Sequence, residues 1–267
     1  MSDYDFRFGG IGRLYGARAL TRLRAAHVMI VGVGGVGSWA AEALARTGIG
    51  RLTLVDLDEV CVSNVNRQVP ALDGQIGRAK VDVMAERIRL IAPECNVVPR
   101  MEFYTEDSAD RLLPVAGPQP DALIDAIDAV ANKVRLIAHA QRQGIPLVIC
   151  GGAGGRRDPT QVRVSDLAEV THDRLTREVR KRLRQDHGFP RGEKKLGLDC
   201  VWSPETPYFP QKDGSVCAAG QAEREPGESG RLNCDWGFGS ATFVTGTFGF
   251  AAAARVVAVI AREPAEI

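Results

Sequence analysis

Short apolar runs alternate with helical patterns over roughly the first 150 residues of the chain. Continuous apolar runs predict buried parallel strands at residues 27–32, 52–56, 96–99, 122–125 and 146–150. Helical spacing or an Ala- and Leu-rich composition predicts helices at residues 38–47, 80–91 and 130–142. Strands that alternate with helices indicate βαβ units, so the predicted fold class is α/β, with a mostly parallel sheet flanked by helices.

The pattern changes after the fifth predicted strand. Residues 151–155 predict a flexible glycine loop, residues 161–164 a short strand, and residues 171–185 a charged helix. Residues 186–236 are rich in Gly, Pro and Glu and show little periodicity, which predicts a long loop.

Length and composition fit one domain of this kind. The chain has 267 residues, of which 45 % are hydrophobic and 25 % charged, as in ordinary globular proteins. No linker separates two complete cores. We therefore expect a single domain over residues 1–267, with a core at about 7–165 and an embellished C-terminal half at about 166–267.

Charge and cysteine content narrow the class of protein. The net charge is +1, so any nucleic-acid site depends on local charge. The first eight residues contain two aspartates and no apolar core, which predicts no secretion signal. Six cysteines form no CxxC pair, which predicts neither a zinc site nor a dense disulfide framework. We expect a cytoplasmic protein.

An uncharged stretch lies near the C-terminus. Residues 237–254 carry no charge and contain about as many residues as a membrane-spanning helix. Because they are mainly Gly, Ala, Thr and Phe and are followed by Arg255, we expect a buried helix or a dimer-face helix. Peripheral membrane association through this stretch is the alternative.

A glycine-rich turn joins the first predicted strand to the first predicted helix. Gly32 allows a tight turn, Gly34 lets a phosphate approach the backbone, and Gly37 lets helix and strand pack closely. The helix N-terminus offers N–H groups to an anion, and Asp56, at the end of the next strand, is placed to bind ribose hydroxyls. The motif predicts a nucleotide-binding site, but it does not show whether the nucleotide is NAD or ATP.

The residues after Asp56 favour ATP. Arg67 follows Asp56 closely, and Lys80 begins the next predicted helix. An enzyme that cleaves a triphosphate needs fixed cations or Mg²⁺ over the phosphates, because charge moves onto the leaving oxygens, whereas a dehydrogenase does not. An NAD-dependent oxidoreductase is the alternative, and it requires binding of NAD and not of ATP.

In order and spacing, these residues resemble the adenylation domain of the ubiquitin-activating-enzyme superfamily. The resemblance covers about residues 7–165 and implies a Rossmann-like fold that activates a carboxylate as an acyl-adenylate, with pyrophosphate leaving. It implies that Asp56 binds ribose and that Asp128 holds Mg²⁺. It assigns catalytic roles to Arg67, Lys80 and Asp128. The implied ATP-binding residues are Gly32, Gly34, Gly35, Gly37, Asp56, Asp58, Ser63, Asn64, Arg67, Gln68 and Lys80.

Further motifs resemble the bacterial tRNA threonylcarbamoyladenosine dehydratases over nearly the whole chain. They lie at residues 7–16, 34–44, 151–160 and 247–250. This resemblance implies a homodimer that uses ATP to cyclise the threonylcarbamoyl group on adenosine 37 of tRNA. It also implies a cysteine desulfurase and its sulfur acceptor as partners.

Two departures from the superfamily pattern concern cysteine and arginine. The sulfur-carrier activators of the superfamily usually have two CxxC pairs that bind zinc, and this chain has none. Gly10 stands where their N-terminal motif supplies an arginine across the dimer, so Arg13, or Arg7, is the candidate for that role. Cys234, in a polar loop, is a candidate reactive thiol, although intramolecular cyclisation does not require one.

The predicted charged helix is the candidate tRNA-binding surface. Residues 174–195 contain nine Lys and Arg residues against three acidic ones. Leu175, Val179 and Leu183 form an apolar stripe, and basic residues lie opposite. Contact with RNA phosphates is the functional interpretation, and a solvated helix face is the alternative. The predicted tRNA-binding residues are Arg174, Arg177, Arg180, Lys181 and Arg184, with Arg156 and Arg157 extending the surface.

Two other functions stay open. The first is adenylation of the C-terminus of a ubiquitin-like sulfur-carrier protein, against which the missing CxxC pairs and the basic helix argue. The second is a nucleotide-sensing or sulfur-relay binding protein that does not turn over. Pyrophosphate release with unmodified and with threonylcarbamoylated tRNA would separate these functions.

Overall fold

The computed structural model describes residues 2–192, 194–211, 213–218 and 238–262. The candidate thiol Cys234 lies outside the described residues. The strands are β1 (His27–Val31), β2 (Arg51–Val55), β3 (Asn96–Arg100), β4 (Ala122–Asp125), β5 (Leu147–Cys150), β6 (Arg163–Asp166), β7 (Asp199–Trp202), β8 (Tyr208–Pro210) and β9 (Val216–Ala218). The helices are α1 (Asp3–Tyr15), α2 (Ala17–Ala25), α3 (Gly37–Arg46), α4 (Lys80–Ile91), α5 (Glu106–Leu112), α6 (Val130–Arg142), α7 (Arg174–Asp186) and α8 (Thr242–Ala261).

The first seven strands form one sheet in the order β3-β2-β1-β4-β5-β7-β6. All neighbours in this sheet are parallel except β6 and β7. The five predicted strands and the predicted helices between them are confirmed, because continuous apolar runs suit strands that are covered on both faces. The separate ribbon of β8 and β9 is antiparallel.

Strand β7 is the main departure from the predicted organisation. The prediction of one long loop over residues 186–236 is wrong, because Asp199–Trp202 pairs with β5 and β6 inside the sheet. Cys200 and Val201 are fully buried there. The strand has only four residues in a segment rich in Gly and Pro, so its own sequence carries little periodicity.

Two layers of helices cover the sheet. Helices α1, α2, α3, α4 and α8 contribute to one core cluster, and α5, α6 and α7 to the other. Helix α8 is long and apolar enough to cross a membrane, with a mean hydropathy of 1.8. It packs against α3, and 56 % of its apolar window is buried inside the protein. Packing in the core therefore accounts for its composition, as expected for a buried helix.

The strand order reverses between β1 and β4. In doubly wound sheets, ligands bind in the crevice outside the carboxyl ends of the strands at such a reversal. Here the segment that follows β1 lies against the segment that follows β4, because a Cβ atom on Gly32 would be 2.7 Å from the carbonyl oxygen of Ala126. The predicted glycine turn and the residues that follow β4 thus share one edge of the sheet.

Candidate nucleotide site

The glycine turn between β1 and α3 is shaped by steric demands of the backbone. Gly32 has φ +91°, which L side chains rarely adopt. A Cβ atom on Gly37 would lie 1.8 Å from the Gly32 carbonyl oxygen, so only glycine allows α3 to begin there. No side chain caps the N-terminus of helix α3, and Gly34 leaves space beside it, an arrangement that suits a bound anion. A Cβ atom there would meet nothing nearer than Gln68 Nε2, at 3.9 Å.

Asp56 anchors the turn from the end of β2. Its carboxylate accepts hydrogen bonds from the Val33 N–H, at 2.6 Å, and from the Asp58 N–H, at 2.9 Å. Burial raises the pKa of Asp56, while the two backbone N–H groups and the Lys80 ammonium oppose that shift. The carboxylate is therefore held in one orientation at the position predicted for ribose binding.

Lys80, the first residue of α4, is buried. Only 5 % of the residue is exposed. Its Nζ atom donates a hydrogen bond to Asp58 Oδ2 at 2.8 Å, and the Asp58 side chain is more than half exposed. The hydrogen bond to Asp58 fixes the Lys80 ammonium group in the first turn of α4, near Asp56.

Residues 63–68 bring an arginine and an amide against the glycine turn. The Arg67 side chain lies beside Gly35, where a Cβ atom would be 3.4 Å from Arg67 Cγ. Its Nη1 atom donates to the Ser63 carbonyl oxygen at 2.7 Å, and its own carbonyl accepts a hydrogen bond from Trp39 Nε1 at 3.0 Å. These bonds, together with the buried Gln68, fix the segment relative to α3.

Asn64 and Ser63 have different surroundings. Asn64 is buried, and its Oδ1 atom accepts a hydrogen bond from the Cys61 N–H at 3.1 Å, which caps the short helix Val62–Asn64. Ser63 is exposed. The ATP-binding roles predicted for both residues remain predictions.

A buried ion pair, which no pattern in the sequence indicates, supports the loop after β4. Asp125 Oδ1 lies 3.0 Å from Lys133 Nζ, and both side chains are fully buried. Lys133 Nζ also donates to the carbonyl oxygens of Asp125 and Ile127. Burial raises the pKa of the Asp125 carboxyl, and the Lys133 ammonium opposes the shift. The pair holds the backbone that presents Asp128, which is exposed.

The glycine loop at residues 151–155 is fixed by hydrogen bonds, contrary to its predicted flexibility. Asp173 caps the N-terminus of α7 and also accepts a hydrogen bond from the Gly152 N–H at 2.8 Å. Arg156 bonds the carbonyl oxygens of Gly152 and His172 and is only 4 % exposed. The prediction that Arg156 extends an RNA-binding surface is therefore wrong, because its guanidinium is buried and bonded to the protein's own carbonyl oxygens.

Helix α7 has the predicted apolar stripe, with Val179 and Leu183 fully buried. Arg180 is half-buried and reaches the basic face only in part, because its Nη1 atom donates to the carbonyl oxygens of Leu167 and Val170. Arg184 holds the following turn through the carbonyl oxygens of Pro190 and Gly192. A basic groove of about 410 Å³ is lined by Arg177, Arg180, Lys181, Arg184, Gln185, Arg191 and Gly192.

Arg13 lies on the exposed side of α1. Phe6 and Leu14 share that face of the helix and are 83 % and 73 % exposed. The cross-subunit role of Arg13 stays a prediction.

The residues present fit ATP. The uncapped end of α3, the open space at Gly34 and the Arg67 side chain lie together where the strand order reverses. The Lys80 cation lies near Asp56, at the end of the neighbouring strand β2. Gln68 Oε1 is buried without a hydrogen-bond partner, as expected of a group that meets a ligand. Within the part of the chain that the structure describes, no three His, Cys, Asp or Glu side chains group to hold a metal ion. A single exposed carboxylate such as Asp128 suits Mg²⁺ that arrives with nucleotide phosphates.

Fold and site together define a nucleotide-binding protein of the ThiF type, and the ThiF family profile matches residues 11–266. The chain belongs to this family. It is 51 % identical over 252 residues to the tRNA threonylcarbamoyladenosine dehydratase of Escherichia coli (strain K12), which covers 94 % of this chain and 92 % of the relative. The match places the chain among the tRNA threonylcarbamoyladenosine dehydratases of that family.

Two solved structures support the nucleotide site. The Escherichia coli tRNA N6-threonylcarbamoyladenosine dehydratase has been solved with ATP and with AMP. The TM-scores are 0.81 and 0.83, each at 47 % identity and with 97 % of this chain and 96 % of the other covered.

Proposed function

We propose that this chain is an ATP-dependent enzyme that dehydrates N6-threonylcarbamoyladenosine at position 37 of tRNA through an acyl-adenylate. The observation that carries the proposal is the N-terminus of α3, which no side chain caps, with the Arg67 side chain packed against Gly35 of the same turn. The relatives' names and the nucleotide complexes support the same activity.

The chemistry needs orientation and charge more than a protein nucleophile. The substrate carboxylate attacks the α-phosphate of ATP, which forms the acyl-adenylate and releases pyrophosphate. A nucleophile within the same threonylcarbamoyl group then attacks the activated carbonyl, so the ring closes and AMP leaves with the carboxylate oxygen. Because this attack is intramolecular, effective molarities of about 10⁵ M or more are available once the group is oriented.

Each residue near the glycine turn has a task in this reaction. The N–H groups of α3 bind phosphate, and Asp56 binds the ribose hydroxyls. Arg67 and Lys80 stabilise negative charge on the leaving pyrophosphate. Asp128 holds Mg²⁺, which neutralises phosphate charge when it is bound.

The test of the activity is mass spectrometry of tRNA nucleosides. Threonylcarbamoylated tRNA incubated with the protein, ATP and Mg²⁺ should yield a nucleoside lighter by one water, together with AMP and pyrophosphate. Unmodified tRNA should release no pyrophosphate above background. Equal pyrophosphate release from both tRNAs would contradict the proposal, and so would an unchanged nucleoside.

Asp128→Asn is expected to lower turnover at limiting Mg²⁺ by about ten-fold or more while ATP affinity changes little. The amide keeps the size of the side chain but removes the charge that attracts the cation. Turnover should be measured as a function of Mg²⁺ concentration, with Asp107→Asn on α5 as the matched control. Normal turnover of Asp128→Asn at limiting Mg²⁺ would place the metal ligand elsewhere.

We propose the basic groove on α7 as the surface that contacts tRNA phosphates. Neutralising Arg177, Lys181 and Arg191 together with Gln should weaken tRNA binding. The log–log dependence of affinity on salt should become shallower by up to about 0.7–0.9 per lost contact. ATP affinity should not change, and Arg182→Gln, on the same helix but outside the groove, should behave as the parent. An unchanged salt dependence of the triple variant would mean that α7 presents only a solvated face.

The remaining partners follow from the family resemblance. A homodimer is supported by the exposed Phe6 and Leu14 beside Arg13, which would be covered in such a dimer. Action in the cytoplasm stays a prediction. A cysteine desulfurase with its sulfur acceptor stays a prediction. No observation in the described residues favours adenylation of a ubiquitin-like sulfur carrier or a binding protein without turnover.

A further inference from the structure

An aromatic pair lies on the glycine loop at the carboxyl edge of the sheet. Phe209 of β8 and Phe238 have ring centroids 4.8 Å apart, with their planes tilted by 47°. Phe238 is 38 % exposed, and Phe209 is half-buried. Neither ring belongs to the core clusters on the two faces of the sheet. Packing of the core therefore does not explain why two phenylalanines meet here.

The glycine loop acts as a rigid base for this pair. A Cβ atom on Gly154 would lie 2.8 Å from Phe238 Cβ, and one on Gly155 would lie 2.9 Å from the Phe238 ring. Gly155 donates a hydrogen bond to the Gly239 carbonyl oxygen at 2.7 Å and accepts one from the Tyr208 N–H at 2.8 Å. Because Gly154 and Gly155 carry no side chain, the Phe238 ring lies directly on the backbone of the loop, so its position is defined.

The aromatic pair is tied to the candidate phosphate site by a short segment. Asn66 Nδ2 donates to the Ser240 carbonyl oxygen at 2.8 Å, and Thr242 Oγ1 donates to the Asn66 carbonyl oxygen at 2.6 Å. Phe238 therefore lies two residues along the chain, at most about 7 Å, from the anchor at Ser240, which bonds the neighbour of Arg67. In the proposed substrate, the reacting carboxylate lies a few covalent bonds, about 6 Å, from N6 of the adenine. The distance from Phe238 to the anchor is therefore comparable to the distance from the adenine N6 to the reacting carboxylate.

A cation lies on the other side of the same ribbon. The Arg157 guanidinium stacks over the Tyr208 ring, 3.8 Å from its centroid. Tyr208 and Phe209 are neighbours in β8, so their side chains point to opposite faces of the ribbon. Exposed aromatic rings with a guanidinium close by are typical of surfaces that bind unpaired nucleotides, because every base offers a π-face and every nucleotide a phosphate.

We infer that Phe238 and Phe209 form the stacking surface for the purine base that carries the reacting group in the tRNA loop. The inference rests on the proposed function, since it assigns a place to that substrate's base. Stacking there holds the base while its carboxylate reaches the α-phosphate beside Arg67. Arg157 is placed to contact a phosphate of the same loop.

The test uses an anticodon stem-loop RNA with the fluorescent base 2-aminopurine at the modified position. Binding to the full-length parent should quench the fluorescence, because the base stacks on the rings. Phe238→Leu should bind the RNA about ten-fold more weakly and lose most of the quenching, whereas Phe238→Tyr, which keeps the ring, should retain both. Phe103→Leu, which changes an exposed phenylalanine elsewhere, is the matched control.

Separate readouts distinguish this inference from the proposed function. ATP affinity and melting temperature should match the parent in every variant, and Phe209→Leu replaces Phe238→Leu if the latter does not fold. If the parent converts threonylcarbamoylated tRNA but shows no quenching, or if the Leu variants quench and bind like the parent, the stacking surface is refuted and the function stands. If the parent neither binds the RNA nor consumes ATP with the modified tRNA, the function itself fails.

Discussion

Replacing Arg67 or Lys80 by an uncharged residue is expected to reduce pyrophosphate release by about 100-fold to 1,000-fold. Arg67 packs against Gly35 of the glycine turn, and Lys80 lies near Asp56 at the end of β2. In the proposed reaction, both stabilise the negative charge that moves onto the leaving pyrophosphate. A positive charge whose position is set by folding stabilises the transition state without any reorganisation of the protein. Removing that charge therefore raises the energy of the transition state. The measurement is the initial rate of pyrophosphate release with threonylcarbamoylated tRNA at saturating ATP.

Because Lys80 is buried, its substitution must remove the charge without disturbing the packing around the side chain. Lys80→Met keeps most of the side-chain volume and removes the charge, so a loss of rate is not a packing effect. Its partner Asp58 is more than half exposed and stays solvated without it. Arg78→Ala, an exposed arginine paired with Glu86, is the matched control. Near-normal release by Lys80→Met or Arg67→Ala, with the control unchanged, would remove these residues from the reaction.

Lys133→Met is expected to lower the free energy of unfolding by about 3–5 kcal/mol near pH 8. It leaves the Asp125 carboxylate buried without its counter-charge, and breaking a buried ion pair from one side is among the costliest single changes. Chemical denaturation followed by circular dichroism measures the loss. The double variant Asp125→Asn/Lys133→Met should recover most of it, because no unpaired charge remains and the Asn oxygen can still accept the Ile127 N–H.

The loss in Lys133→Met should depend on pH in a defined direction. Burial already raises the pKa of Asp125, and removing the ammonium raises it further. The penalty is therefore small near the unfolded pKa of about 3.9 and grows as pH rises toward the folded pKa. The difference from the parent should be smaller at pH 5 than at pH 8. A difference that does not change with pH, or a loss below about 1 kcal/mol, would mean that water reaches the pair.

Local patterns in the chain were sufficient for the central part of the fold. The apolar runs of β1 to β5 and the helices α3, α4 and α6 depend on neighbours within about a dozen residues, so the sequence predicts them directly. Helix α5, of only seven residues, was not predicted. The glycine turn is largely local as well, because Gly37 lies directly against the carbonyl oxygen of Gly32, five residues earlier. The position of Asp56 at the end of β2 also follows from strand length alone.

Residues that depend on distant partners could not be placed in this way. Strand β7 exists because four residues pair with β5 and β6, which lie far away in the sequence. Arg156 and Arg180 look like members of a basic surface, yet each donates to carbonyl oxygens that only tertiary packing brings near. The ion pair of Asp125 and Lys133 was unpredictable as a buried pair for the same reason.

The sequence by itself determined the sheet core, the nucleotide-binding turn and the family to which the chain belongs, because these are written in short-range spacing. The tertiary structure alone decided which charged side chains remain available to ligands. Where folding surrounds a guanidinium or ammonium group with carbonyl and carboxylate oxygens, its hydrogen-bond donors are occupied and less available to a ligand. That environment is assembled from segments far apart in the chain. The same long-range packing brought Phe209 and Phe238 together on the glycine loop, where neither residue's local sequence indicated a site.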